Sequence, residues 1–143
     1  MPAKLKAKEF EVIDHTADVG IMAYGTDLKQ VFANAARGMF SIITDLKTVR
    51  ASLQRDIIVE AADTESLLVA WLNELIYLCD TENFLVKKCE IRELNDKHLA
   101  AVVFGEKFDN ARHQLKRGMK AATYHLLEIK HDGGYRARVV LDI

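Results

Sequence analysis

Two acidic segments, one near each end of the 143-residue chain, hold the residues best suited to chemistry. The first covers residues 14–20 and reads DHTADVG, and the second covers residues 141–143 and reads LDI. Polar residues inside an otherwise apolar, strand-like stretch must either be exposed or satisfy one another. Carboxylate oxygens are also the ligands that hard cations such as Ca²⁺ and Mg²⁺ prefer. These two segments are therefore the candidate site.

Two interpretations are open for the first segment. In one, Asp14 and Asp18 lie in a bulge or turn, where their carboxylates accept hydrogen bonds from main-chain N–H groups and have a structural role only. In the other, Asp18 offers a hard oxygen to a cation, and Gly20 allows the backbone to approach closely.

The second segment is predicted to turn an acidic side chain away from the core. Val139, Leu141 and Ile143 share one face of the final strand and should point inward, so Asp142 should point outward. A docked strand would hold the Asp142 side chain beside the main-chain carboxyl group of Ile143. If this strand pairs with the first one, Asp18, Asp142 and Ile143 could share one ion. Three oxygen donors without a thiolate or imidazole favour Ca²⁺ or Mg²⁺ over Zn²⁺.

A basic stretch between residues 107 and 120 is a third candidate. It could be a solvated loop, or a contact surface for phosphate or for an acidic protein face. Aromatic residues are not interleaved along it beyond Phe108 at its start, which argues against a stacking platform for single-stranded RNA. Its members are Lys107, Arg112, His113, Lys116, Arg117 and Lys120.

No pattern in the sequence points to a catalytic centre. We find no Ser or Cys with a neighbouring base and an orienting acid, and no glycine-rich loop that could cradle phosphate. His125 lies in a predicted strand, with Tyr124 and Ala122 on the opposite side, and we interpret it as a hydrogen-bonded structural residue. Cys79 and Cys89 are too far apart for a Cys-x-x-Cys motif and are expected to be reduced. We therefore predict no catalytic and no cofactor-binding residues.

The composition is that of a soluble globular protein. Half of the residues are hydrophobic, 29% are charged and the formal net charge is −1, so total charge does not indicate a nucleic-acid-binding or membrane-surface protein. No apolar run approaches the roughly 18 residues that cross a bilayer. The basic N-terminus is not followed by the apolar region of a secretory signal. We expect a cytoplasmic protein that does not contact a membrane.

The periodicity predicts an α+β domain, with two helices packed on a largely antiparallel β-sheet in a single-domain, two-layer sandwich. With one proline and no low-complexity linker, residues 1–8 are predicted to be an N-terminal extension and residues 9–143 one domain. The predicted elements, in chain order, are an extended stretch over 9–24, a helix capped by Asp27, a strand over 56–62, a helix capped by Asp63 or Thr64, and hairpins pairing 85–94 with 98–105 and 120–130 with 135–143.

Taken together, these segments resemble the archease family. The resemblance covers nearly the whole chain in order, and the combination of His-Thr-Ala-Asp with a terminal Leu-Asp-Ile is specific, although neither motif would be specific alone. The matching stretches are residues 13–21, the helix with Phe32, Ala35 and Phe40, residues 65–68 and 71–75, Gly105-Glu106, residues 120–125 and residues 140–143.

The resemblance implies a non-catalytic activator of the GTP-dependent tRNA-splicing ligase. Such a protein promotes guanylylation of the ligase's active-site histidine, supports multiple turnover and broadens the nucleotides that the ligase accepts. The resemblance also implies a metal site made by the Asp of His-Thr-Ala-Asp and by the C-terminal Asp with the final residue, which are Asp18, Asp142 and Ile143 here. The expected ion is divalent, with calcium first and magnesium or manganese as alternatives. Nucleotide and RNA would be met indirectly, through the ligase.

Two other functions stay open at this stage. The same carboxylates could serve a stand-alone metal-dependent hydrolase or phosphotransferase, or the acidic cluster could be structural in a general chaperone. An Asp18→Ala protein should keep its fold in all three cases. It should lose ligase stimulation in the first case and intrinsic turnover in the second, and it should keep full activity in the third.

Overall fold

The computed structural model describes residues 8–14 and 18–143, apart from the side chain of residue 14. Residues 1–7 of the predicted N-terminal extension lie outside this range, as do His15, Thr16 and Ala17 of the first acidic segment. The described elements, in chain order, are β1 (Phe10–Asp14), β2 (Asp18–Gly25), α1 (Leu28–Ile43), a 3₁₀ turn (Leu46–Thr48), β3 (Leu53–Glu60), α2 (Thr64–Glu82), β4 (Phe84–Leu94), β5 (His98–Lys107), β6 (Ala121–His131) and β7 (Tyr135–Asp142).

The α+β class is confirmed, and the strands are divided between two antiparallel sheets. One sheet has the order β1-β2-β7-β6 and the other the order β3-β5-β4. Each helix contacts both sheets, since α1 packs on β2 and β4 while α2 packs on β6 and β3. The extended stretch predicted over 9–24 is two strands, because the chain reverses between Asp14 and Val19, which pair with each other.

The helices form because their apolar residues recur at the helical period and bury one face of each helix. Trp71 is fully buried, and its indole N–H donates a 2.9 Å hydrogen bond to the Phe32 carbonyl, which joins α2 to α1. Neither described helix has the length and apolar character needed to span a bilayer. The predicted stripe of α2 is buried at every position, namely Leu67, Leu68, Trp71, Leu72, Leu75 and Ile76.

Both helices begin at aspartate caps, at Asp27 as predicted and at Asp63, one of the two residues predicted for the second helix. Asp27 accepts a 2.8 Å hydrogen bond from the Gln30 N–H, and Asp63 accepts one of 2.8 Å from the Ser66 N–H. These bonds satisfy N–H groups that have no partner within the helix. The hydrogen bond from the Ser66 N–H also lowers the pKa of Asp63 below its ordinary value.

We expect Asp63→Ala to lower the free energy of unfolding by about 1 kcal/mol, because α2 loses its N-terminal acceptor. In a thermal melt this corresponds to a fall in Tm of roughly 3 °C for a domain of this size. Asp80→Ala is the matched control, since Asp80 is an exposed carboxylate near the C-terminal end of the same helix, where its charge opposes the helix dipole. Equal destabilisation by the two substitutions would argue against the capping role.

Candidate metal centre

The structure places Asp18 directly opposite Asp142. Strand β2 lies between β1 and β7, and the antiparallel register of β2 with β7 begins with these two residues. The predicted pairing between the start and the end of the chain is therefore confirmed. Directly opposite residues of an antiparallel pair share one face of the sheet, with Cβ atoms about 4.5–5.5 Å apart. We call Asp18 and Asp142 the acidic pair.

Buried neighbours fix the side on which the acidic pair lies. Val19 and Ile21 are 1% and 0% exposed on β2, and Val139 and Leu141 are 1% and 0% exposed on β7. Because side chains alternate along a strand, burial of these residues turns their neighbours to the outer face of the sheet. A slip of one residue would expose four apolar side chains, so the core sets the register of the acidic pair.

Main-chain bonds define which oxygens remain beside the pair. The Lys120 N–H donates a 2.8 Å hydrogen bond to the Asp142 carbonyl, so that oxygen already has a partner. Ile143 is half-buried and its side chain packs against the core, which keeps its main chain next to Asp142. Among the described residues next to this bond, the Asp18 and Asp142 side chains and the Ile143 main chain offer oxygens to a ligand.

This donor set suits a hard divalent cation. Two carboxylates and a main-chain oxygen are ligands of Ca²⁺ or Mg²⁺, and water commonly completes the coordination of either ion. Among the side chains that the structure describes, which do not include those of residues 14–17, no three from His, Cys, Asp or Glu converge on one point. The assignment of Asp18, Asp142 and Ile143 as metal ligands stays a prediction.

Shallow clefts surround the acidic pair on the outer face of the four-stranded sheet. A cleft of about 250 Å³ is lined by both members of the pair, with Thr123 and His125 at its side. A second cleft, of about 290 Å³, is also lined by Asp18 and His125, and it extends over Gly20 to Leu126 and Arg138. Sequence reasoning gave His125 a structural role within a strand, whereas the structure places it, exposed, in both clefts.

The predicted alternation along β6 is wrong beyond Thr123. Thr123 pairs with Val140 and Glu128 pairs with Arg138, so four residues of β6 stand against one of β7. These four, residues 124–127, form a β-bulge, which disrupts the inward–outward alternation. As a result Tyr124 is 64% exposed, instead of lying on the buried side with Ala122.

A buried polar cluster, which the sequence did not reveal, fixes the loop between β5 and β6. The Glu106 carboxylate is 8% exposed and accepts hydrogen bonds from the Arg50 N–H at 2.7 Å, from His113 Nε2 at 3.0 Å and from the Arg112 guanidinium. Burial raises the pKa of Glu106, but the hydrogen bonds from Arg112, Arg50 and His113 outweigh it and lower the pKa to about 2. The carboxylate is therefore ionised at neutral pH.

The cluster changes the interpretation of the basic stretch. Arg112 and His113 turn towards Glu106, so the solvated-loop interpretation is wrong for these two residues. Further along, the Lys116 N–H donates a 2.7 Å hydrogen bond to the Ile43 carbonyl, and the Thr44 hydroxyl donates one of 2.8 Å to the Gln114 carbonyl. These bonds hold the loop against the end of α1. The loop ends at Lys120, whose N–H binds the Asp142 carbonyl.

The two cysteines are free thiols, and both are partly buried. Burial raises the pKa of Cys79 to about 11 and that of Cys89 to about 12. Only the thiolate is a good nucleophile or metal ligand, so neither cysteine is suited to either role near neutral pH.

Comparison with protein families matches residues 10–143 to the archease protein family (MTH1598/TM1083). The chain is similar to the protein archease of Methanosarcina mazei, with 37% identity over 148 aligned residues and full coverage of both proteins. It is also similar to the protein archease of Methanothermobacter thermautotrophicus, with 41% identity, covering 95% of this chain and 99% of that protein.

Two solved structures share the fold. The solution structure of Methanobacterium thermoautotrophicum protein 1598 matches with a TM-score of 0.80 and 42% identity, covering 94% of this chain and 99% of that one. The crystal structure of a Thermotoga maritima archease, described there as a possible chaperone, matches with a TM-score of 0.63 over the full length of both chains. At 18% identity, the second match supports the fold alone.

Proposed function

This chain belongs to the archease family, and from that membership we propose that it activates the GTP-dependent tRNA-splicing ligase without catalysing a reaction itself. In this role it promotes guanylylation of the ligase's active-site histidine, supports repeated turnover and widens the range of nucleotides used. It works in the cytoplasm, and it meets nucleotide and RNA only through the ligase. The observation that carries the proposal is the register that sets Asp18 against Asp142.

The acidic pair is the part of the protein that acts on the ligase. Asp18, Asp142 and the main-chain oxygen of Ile143 hold a divalent cation, with calcium as the first candidate and magnesium or manganese as alternatives. A cation held there supplies positive charge that can stabilise the negative charge developing on nucleotide phosphates. The fold fixes the position of Asp18 and Asp142, and so of that charge, because the buried core on the other face of the sheet sets the register of β2 with β7.

The test is a guanylylation assay of the purified ligase with labelled GTP, with and without this protein. Both proteins are first freed of metal, and Ca²⁺, Mg²⁺ and Mn²⁺ are then titrated separately. We expect the guanylylated fraction of the ligase to rise when the protein is added, and to rise further with the ion that the acidic pair binds. An unchanged rate and extent of guanylylation at every metal concentration would overturn the proposal.

A parallel reaction without the ligase separates activation from intrinsic catalysis. The protein is incubated with nucleotides and RNA under the same metal conditions, and the products are resolved by chromatography. We expect no turnover above the rate of the buffer alone. Turnover that disappears in Asp18→Asn would instead favour a metal-dependent hydrolase or phosphotransferase that uses the same carboxylates.

A further inference from the structure

The bulge of β6 presents apolar side chains to solvent beside the acidic pair. Tyr124 is 64% exposed and Leu126 is 57% exposed, although both belong to a strand of the four-stranded sheet. Ile13, on the outer face of the same sheet, is 39% exposed. Ile13, Leu126 and Asp18 all line the cleft of about 290 Å³, with Gly20 and Val140 also along it. Leu126 of the bulge and Asp18 of the acidic pair therefore line one continuous surface.

Leu126 has a backbone conformation that its own side chain disfavours. Its φ angle is 54°, in the left-handed region, and among the described non-glycine residues only Asn83 shares a positive φ. Asn83 ends α2, where the left-handed conformation is common and asparagine is well suited. Leucine is strained in this conformation, because its Cβ atom crowds the backbone. The Leu126 side chain is exposed, so burial of apolar surface does little to offset that strain. A strained residue without a packing benefit indicates a functional constraint.

Neighbouring bonds hold the bulge in one shape. Arg138 Nε donates a 2.8 Å hydrogen bond to the Leu126 carbonyl, and the same guanidinium forms a 3.1 Å ion pair with Glu128. On the other side, the Thr123 hydroxyl donates a 2.8 Å hydrogen bond to the Val140 carbonyl. Both ends of the bulge are thus fastened to β7, the strand that carries Asp142. Side chains held in place in this way lose little conformational entropy on binding.

We propose that the bulge, residues 124–127, is the apolar docking element through which the protein holds the ligase, separate from the acidic pair that stimulates it. This inference rests on the proposed function. The expected partner surface is an apolar recess that receives Tyr124 and Leu126, next to the part of the ligase that the acidic pair and its cation face. Tyrosine is among the residues enriched at interface hot spots, and an apolar centre with a polar rim is the usual arrangement of a protein interface.

A protein partner fits this surface better than RNA does. The charges next to the bulge include Asp18 and Asp142, which repel a phosphate backbone, and a divalent cation held by the pair only offsets their two charges. Arg138 also lines the cleft, and its guanidinium is already engaged with Glu128 and with the main chain of Leu126. The surface therefore offers no basic groove to RNA, and a protein with an apolar recess fits the exposed side chains of the bulge better.

The test measures binding and stimulation separately in Leu126→Gly and Tyr124→Ala. Binding to the ligase is measured by titration calorimetry, and guanylylation is measured at saturating concentrations of each variant. We expect each substitution to raise the Kd for the ligase about tenfold, as loss of an interface anchor does. Maximal stimulation at saturation should stay within about twofold of wild type, because the acidic pair is unchanged.

Leu126→Gly also separates docking from stability. Glycine adopts the left-handed conformation without a steric cost, so the Tm of this variant should equal or exceed that of the wild type. Weaker binding by a protein that is at least as stable cannot be attributed to unfolding. Asp18→Asn should show the reverse pattern, with binding within about twofold of wild type and stimulation lost.

The chain offers controls of matched exposure on other elements. Tyr77, on α2, is 63% exposed, and Ile58, on β3, is 67% exposed. Tyr77→Ala and Ile58→Ala should leave the Kd for the ligase unchanged. Equal Kd values for wild type, Leu126→Gly and Tyr124→Ala would overturn the docking proposal alone, provided that the wild type still stimulates the ligase. A wild type that neither binds nor stimulates would overturn both proposals.

RNA binding is measured with the same proteins and the RNA halves that the ligase joins. We expect no difference between wild type and the bulge variants. Weaker RNA binding with unchanged ligase binding in Leu126→Gly and Tyr124→Ala would show that the bulge contacts RNA, and would overturn the assignment of a protein partner.

Discussion

Asp18→Asn and Asp142→Asn should each abolish stimulation of the ligase while leaving the protein folded. The amide keeps the size and shape of the carboxylate, so the register of β2 with β7 persists. It lacks the negative charge that a hard cation requires. Since disturbing a residue that merely orients a ligand costs 10–100-fold in metal affinity, we expect loss of a direct ligand to weaken binding by about 100-fold or more. Calorimetric titration with Ca²⁺, Mg²⁺ and Mn²⁺ measures this loss.

In the absence of metal, the same two substitutions should slightly stabilise the protein, although they weaken its binding of metal. Asp18 and Asp142 lie directly opposite each other, and like charges in that arrangement are destabilising. Removing one charge should therefore raise the Tm of the metal-free protein slightly at low salt, while abolishing the further rise that metal produces. Asp56→Asn is the control, because Asp56 is an exposed carboxylate on β3 whose partner across the sheet is Val102. If Asp18→Asn and Asp142→Asn both bind metal and stimulate the ligase normally, the acidic pair is not the metal site.

Glu106→Gln should cause the largest loss of stability among the substitutions considered. The Glu106 carboxylate accepts three hydrogen bonds, from Arg50, Arg112 and His113. Glutamine would direct its NH₂ group at donors and would leave the Arg112 charge without its buried partner. We expect the free energy of unfolding to fall by about 3 kcal/mol, measured by urea denaturation. Glu90→Gln, at an exposed ion pair with Arg92 on β4, should cost less than about 0.5 kcal/mol.

The dependence of stability on pH checks the same cluster independently. The pKa of Glu106 is about 2 in the folded protein, against an ordinary value of 4.5. The folded state therefore favours the ionised carboxylate, and its contribution is complete above pH 4.5 and is lost as the pH falls towards 2. As the pH falls from 4.5 to 2, protonation of Glu106 should lower the free energy of unfolding of the wild type by about 3 kcal/mol. Glu106→Gln has no carboxylate at this position and should not show this part of the loss. Parallel stability curves for the two proteins below pH 4.5 would contradict the assignment.

Features that depend on local periodicity could be read from the sequence. The caps at Asp27 and Asp63 and the apolar stripes of both helices follow from the helical period and from the hydrogen-bonding needs of a helix N-terminus. The outward direction of Asp142 follows from alternation along β7. Placing Asp18 beside it required that the extended stretch predicted over 9–24 pair with the last strand, and the structure confirms this for the second part of that stretch, β2.

Features that depend on tertiary contacts or on extra strand residues could not be read in this way. Glu106 receives hydrogen bonds from Arg50 and Arg112, which lie on either side of it in the chain and carry no shared pattern. The bulge of β6 inserts residues whose polarity resembles that of the strand around them. Only the pairing of Thr123 with Val140 and of Glu128 with Arg138 reveals that the alternation has been interrupted.

The order of strands makes this sheet dependent on β7, which is synthesised after the other described strands. Strand β7 is the final strand along the sequence, yet it lies between β2 and β6 in the middle of the four-stranded sheet. Before residues 135–142 leave the ribosome, β2 and β6 have no strand to join them. A product that ends before residue 135 would therefore lack both the completed sheet and Asp142.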